Sequence, residues 1–175
     1  ASYNIGIGEI SWRKNFGYIQ TSPILNEGHI YFGSLNGTQY KAEASSGKMI
    51  WRVETKSPIH STCAVSGGAV VFGNDNGEIY CINTNDGSQR WMLETGATVY
   101  STPMIDNGTV YIGNDDSLFK AISLTDGAVL WKNNLKTKII SGSALYGEQV
   151  IVTCVDGSVY SLNKSDGGVK WKFQT

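Results

Sequence analysis

The sequence is poor in the residues that carry most chemistry. It has three cysteines, two histidines and three prolines in 175 residues, and only 17% of its residues are charged, for a net charge of -1. Lysine and arginine are scattered rather than grouped, which argues against a nucleic-acid surface or an anionic membrane patch. No apolar run approaches the roughly 18 residues that cross a bilayer, and no basic segment followed by an apolar one opens the chain. The chain as given is expected to be soluble, and a removed signal peptide would leave no trace. Ser-His-Asp arrangements, a P-loop and a nucleotide fingerprint are all missing, because the glycine-rich pieces lead into strands rather than helices.

The few reactive residues do not assemble. Cys63, Cys81 and Cys154 are odd in number and occupy three different places in the pattern described below, so they are expected to be buried apolar thiols in strands. His29 begins one strand and His60 ends a loop, so they form no metal pair. Asn74, Asp75, Asn76 and Glu78 carry alternate oxygens around a glycine, as a calcium loop does. The same residue types are what a hairpin turn needs for backbone reasons, and that reading is preferred. Asn36, Asn107 and Asn163 each begin an N-x-S/T sequon, at the frequency chance gives in a chain rich in Asn, Ser and Thr, which leaves the compartment open. No cofactor and no metal is expected.

What the chain has is a period. Trp12, Trp51, Trp91, Trp131 and Trp171 are spaced by 39, 40, 40 and 40 residues, and each has a glycine four positions before it: Gly8, Gly47, Gly87, Gly127 and Gly167. This is an internal repeat. Within it come a short apolar piece (TSPIL, STCAV, STPMI, SGSAL), a turn, and an apolar run (HIYFG, AVVFG, TVYIG, QVIVT). A tight Asn/Asp-Gly turn follows, then an alternating run (TQYKA, EIYCI, LFKAI, SVYSL), another turn and the tryptophan strand. Asn/Asp-Gly supplies hairpin turns, and β-branched or aromatic residues fill strands. Each repeat is therefore four antiparallel strands.

No segment has helical apolar spacing, and the connections are too short for crossover helices. A four-stranded sheet of about 40 residues cannot cover both faces alone and must stack on a neighbour, which predicts an all-β β-propeller with a tryptophan where blades meet. The domain covers residues 1–175, with a surplus fourth strand at 8–16 and blades at about 17–55, 56–95, 96–135 and 136–175. Because the chain both begins and ends with a tryptophan strand, an open four-blade array, or half of a larger ring of about seven or eight blades, is expected. Its apolar end faces and the unpaired edge at 8–16 predict a homodimer of half rings or lodgement in a larger ring.

The segments YCINTNDGSQRW and YSLNKSDGGVKW, with the Ser/Thr-Pro pieces TSPIL and STPMI, resemble the tryptophan-docking motif A-x-D-x-x-T-G-x-x-x-W of pyrroloquinoline-quinone-type propeller repeats. The resemblance spans residues 8 to 175. It implies the propeller fold and weakly favours an extracytoplasmic location. Functionally it is broad, since the repeat serves quinoprotein dehydrogenases, an outer-membrane barrel-assembly lipoprotein, stress-sensor lumenal domains and scaffold modules. The dehydrogenases hold their quinone on a tryptophan floor under a disulfide between adjacent cysteines, beside a calcium bound by Glu, Asn and Asp. This chain has no adjacent cysteines, and its five tryptophans are assigned to blade packing.

Comparing the repeats with one another points to a site. The position before the first strand reads Gln20, His60, Tyr100 and Ile140, beside the nearly constant Thr21, Ser61, Ser101 and Ser141. In a propeller this loop opens at one mouth of the central channel, next to the turn carrying Leu35, Asp75, Asp115 and Val155. Variable loops on a rigid scaffold are where specificity is usually placed. The expected function is a non-catalytic scaffold for a protein or peptide partner, with Gln20, His60, Tyr100, Ile140, Asp75 and Asp115 as binding residues. The alternative is part of a quinone-dependent dehydrogenase whose cofactor residues lie outside this segment.

Overall fold

The computed structural model describes residues 2–3 and 10–174, with side chains from residue 10 onward. Among them there is no helix. A two-residue strand β1 (Ser2–Tyr3) and β2 (Ile10–Trp12) precede four antiparallel four-stranded sheets, each a blade of a four-blade propeller. Blade 1 is β3 (Ile24–Asn26), β4 (His29–Gly33), β5 (Thr38–Glu43) and β6 (Met49–Glu54). Blade 2 is β7 (Ala64–Ser66), β8 (Ala69–Gly73), β9 (Glu78–Asn83) and β10 (Gln89–Glu94). Blade 3 is β11 (Met104–Asp106), β12 (Thr109–Gly113), β13 (Leu118–Ser123) and β14 (Val129–Asn134). Blade 4 is β15 (Ser143–Tyr146), β16 (Gln149–Thr153), β17 (Ser158–Asn163) and β18 (Val169–Gln174). In each blade the strands hydrogen-bond in chain order.

Strand alternation divides every sheet into a face toward the preceding blade and a face toward the next. The core is accordingly three slabs. Tyr31 and Trp51 of blade 1 meet Val70, Phe72 and Ile82 of blade 2. Val71, Ile79 and Trp91 meet Val110, Ile112 and Ile122, and Tyr111 and Phe119 meet Val150, Val152 and Leu162. The tryptophans stitch the slabs together. The indole Nε1 of Trp51 donates to the Thr84 carbonyl, that of Trp91 to Leu124, and that of Trp131 to Lys164, at 2.8–2.9 Å. The glycine four residues before one tryptophan lies beneath the previous one. Gly127, at φ +78°, would place a Cβ 2.9 Å from Trp91, and Gly47, Gly87 and Gly167 hold the same place under Trp12, Trp51 and Trp131.

The N-terminal end differs from expectation. Strand β2 is only Ile10–Trp12 and is not a lone edge: it pairs with β1 in the register Ser2↔Trp12 and Tyr3↔Ile10. That is the register of Ser161↔Trp171 and Leu162↔Val169 in blade 4, so β1–β2 repeats the outer half of a blade. Trp12 lies on blade 1 with its Nε1 2.9 Å from the Ala44 carbonyl. The chain leaves the strand after Trp12 because Phe16 turns onto blade 1, its ring 5.0 Å from Phe32 and 5.3 Å from Tyr40. Gly8 lies outside the described residues. The two end faces are thus unequal: the first is partly covered, whereas on the last Trp171 is 45% exposed, against 7% for Trp91.

All three cysteines are free. Only Cys81 lies in a strand; Cys63 immediately precedes β7, and the half-buried Cys154 follows β16. Burial pushes the Cys63 thiol up to about 12, which leaves it unreactive at neutral pH.

Candidate binding surface

Each blade is entered by a loop that runs beside the turn between its own second and third strands. Backbone hydrogen bonds fix that neighbourhood: Leu35 N to Tyr18 O at 2.8 Å, Asp75 N to Pro58 O at 3.0 Å, Asp115 N to Thr98 O at 3.0 Å, and Val155 N to Lys138 O at 3.1 Å. The same loops tie consecutive blades, since Val99 N donates to the Asn74 carbonyl and Ile139 N to that of Asn114. Repeating sockets of this kind can carry whatever side chains the sequence supplies.

In blades 2 and 3 those side chains meet. His60 Nε2 lies 3.5 Å from Asp75 Oδ2. The His60 and Tyr100 rings pack edge to face across the blade boundary, with centroids 5.1 Å apart. Lys138 donates to Asp115 Oδ2 at 2.9 Å, and Thr98 Oγ1 donates to the Asp75 carbonyl at 2.9 Å. Each aspartate keeps its other oxygen, Oδ1, buried without a hydrogen-bond partner. Burial raises the Asp75 pKa above the usual carboxylate range; His60 opposes the shift and the Asp115 charge adds to it. The hydrogen bond from Lys138 to Asp115, with their Coulombic attraction, raises the Lys138 pKa.

Gln20 and Ile140 are exposed and are not joined to this cluster by any hydrogen bond or ion pair among the described residues. They stand in the mouths of blades 1 and 4, where exposed apolar side chains lie nearby, Tyr18 and Ile19 on one side and Val155 on the other, the last beside the exposed Lys138. Lys138 and Thr98 were missed from sequence. Their repeat position reads Tyr18, Pro58, Thr98 and Lys138, and this variability was the available signal.

The loop Asn74–Glu78 is occupied with its own turn. Asn74 Nδ2 donates to Glu78 Oε2 at 2.6 Å, Glu78 N donates to Asn74 Oδ1 at 3.0 Å, and Gly77 N donates to the Asn74 carbonyl at 3.1 Å. Among the described residues no three His, Cys, Asp or Glu side chains are grouped to hold a metal ion.

Stacked four-stranded blades joined by interblade tryptophans, with variable loops gathered at one surface, define a propeller of quinone-type repeats. The chain belongs to the family described as outer membrane protein assembly factor BamB, whose profile matches residues 1–72 and 40–175. Among solved structures it is similar to BamB from Moraxella catarrhalis, at 20% identity and a TM-score of 0.68, over 95% of this chain and 65% of that one. It is similar also to the quinohemoprotein alcohol dehydrogenase ADHIIG from Pseudomonas putida HK5, at 17% identity and a TM-score of 0.79, over 89% of this chain and 34% of the enzyme. The computationally designed Ika4 protein matches at 15% identity and a TM-score of 0.78, over 87% of this chain and 95% of its own. At these identities the likeness is one of fold. The chain spans about 65% of the Moraxella BamB and 34% of the dehydrogenase. No curated protein matches it in sequence.

The tryptophans between blades are not free to form the floor of a quinone site. Trp51, Trp91 and Trp131 have their indole nitrogens committed and a neighbouring blade's glycine against their rings. The three cysteines are free, and they sit before β7, in β9 and after β16. Titration with pyrroloquinoline quinone and calcium is expected to give no stoichiometric binding and no dye-linked alcohol oxidation; micromolar binding would overturn this reading.

Proposed function

We propose that the chain is a non-catalytic propeller scaffold that binds an extended segment of a protein partner across the mouths of its blades. One observation carries the reading. On loops where the repeats depart from one another, an acidic and aromatic cluster (His60, Asp75, Tyr100, Asp115) occupies the two middle blades, with exposed apolar side chains in the mouths of the outer two and Lys138 of the blade 4 mouth on Asp115. The matching ligand is a peptide that presents a lysine or arginine to Asp75 and Asp115 and sets apolar residues over Tyr18 and Ile140. Family membership with BamB supports a partner-binding role of this kind.

The raised pKa of Asp75 supports the same reading from energetics. Burial makes its ionised form unfavourable in the free chain, so the carboxylate is held at a cost that a cationic ligand would offset. Peptides selected from a random library on the native chain should be rich in basic residues. The double substitution Asp75→Asn with Asp115→Asn should weaken them at least ~10-fold while leaving the chain folded, as circular dichroism would show. Selected peptides that ignore both substitutions would defeat the proposal.

The scaffold reading extends to association. The uncovered face of blade 4, with Val169, Trp171 and Phe173 exposed, is proposed to bury against a second copy. The acceptor is the first blade's end, where β1–β2 already repeats the outer half of a blade in the same register. Sedimentation at low micromolar concentration should show a dimer of the 19.0 kDa chain that Trp171→Glu dissociates. A stable monomer of the native chain would refute it.

A further inference from the structure

The four blades can be compared at the cross-strand pair just inside the tryptophan strand. In blade 1 it is Tyr40↔Arg52, in blade 2 Tyr80↔Met92 and in blade 4 Tyr160↔Lys172. A tyrosine ring is constant there, and in blade 4 the Lys172 ammonium lies over it, 5.0 Å from the centroid. Blade 3 breaks the rule with Lys120↔Lys132. Like charges directly opposite on one face of a sheet are destabilising, and here the ring that receives the cation in blade 4 is replaced by a second cation.

Lys120 is also buried, only 7% exposed, and among the described residues its ammonium makes no hydrogen bond or ion pair. Burial first, and the Lys132 charge second, lower its pKa; Asp116 opposes them and does not restore it. Both lysines line a cleft of about 570 Å³ between blades 2 and 3, walled by Leu93, Thr95 and Trp131, with the Glu94 carboxylate on the same wall. Two lysines opposite one another in an open cleft, with a single carboxylate residue, Glu94, in its lining, leave positive charge that the walls do not balance.

We infer that this cleft binds a small oxyanion between Lys120 and Lys132. The ion offsets the second cation at a position where the other three blades carry a neutral tyrosine. With two cations and Glu94 on the walls, the site carries one net positive charge, which suits a small phosphate or carboxylate rather than a polyanion. It lies along the tryptophan strands of blades 2 and 3, shares no lining residue with the candidate binding surface, and stands independently of the partner-binding proposal.

The probe is inorganic phosphate, followed by the thermal midpoint of the native chain at constant ionic strength with chloride as the exchanged anion. Phosphate at about 20 mM should raise the midpoint of the native chain by several degrees. Lys120→Tyr and Lys132→Met should each abolish the rise. Both substitutions copy sibling blades, where Tyr80 stands opposite Met92, so the fold should accommodate them. Absence of a rise in the native chain, or a rise of equal size in both variants, would overturn the inference.

Discussion

Replacing Trp91 by alanine is expected to cost about 3–5 kcal/mol of folding stability. Its ring fills the slab between blades 2 and 3, its Nε1 holds the Leu124 carbonyl at 2.9 Å, and Gly127 is bare beneath it because a Cβ there would meet the indole. Removing the ring therefore leaves a cavity under a rigid glycine turn and an orphaned carbonyl. Trp171→Ala, read on the dissociated monomer, should cost far less, since that ring is 45% exposed in the single chain. Urea unfolding of the two variants checks the contrast. Equal losses would mean that the tryptophans do not act through the next blade.

A second large effect is expected at Gly73. This residue is in extended conformation, so only space decides, and a Cβ would lie 2.3 Å from Val99 Cγ1 and 2.5 Å from its Cβ. Val99 is the residue that the entry loop of blade 3 lays on blade 2, as Ile59 lies on Gly33 and Ile139 on Gly113. Gly73→Thr should cost at least the 1–3 kcal/mol typical of overpacking, because Val99 is fixed by its backbone bond to Asn74. Blade 4 supplies the control: the equivalent residue is already Thr153, which is exposed. Thr153→Gly should change stability by less than about 1 kcal/mol. Thermal or urea unfolding that ranked the two substitutions equally would contradict the seat-and-plug account of blade contacts.

These two sites also mark what sequence reveals in a repeat protein. The tryptophan period and the Asn/Asp-Gly turns were legible because every blade solves the same backbone problem with the same residues, so the all-β propeller followed from local chemistry alone. The partner of each glycine was not legible: Gly127 precedes Trp131 in sequence but lies against Trp91, a relation set by stacking between blades. Strand β1 was missed because two residues, Ser2 and Tyr3, carry no pattern of their own and are recognisable only by pairing with Ile10–Trp12. The segment RKNF read as a continuing strand, but Phe16 is drawn to Phe32 and Tyr40 instead.

For the candidate surface, variation between repeats identified His60, Asp75, Tyr100 and Asp115. It could not show that His60 and Tyr100 meet across a blade boundary, or that Lys138 enters from the loop of the following blade to pair with Asp115. Those contacts depend on the angle between neighbouring sheets, which no single repeat encodes.

The central claim is that the blade mouths, and not the strand edges or the outer rim, recognise the partner. Its most direct test is a chemical-shift map of the isotopically labelled chain bound to a selected basic peptide. The account predicts that the largest changes cluster at His60, Asp75, Tyr100, Asp115 and Lys138 and extend to Tyr18 and Ile140. Changes concentrated on β18, around Trp171 and Phe173, with the mouth residues unmoved, would contradict it.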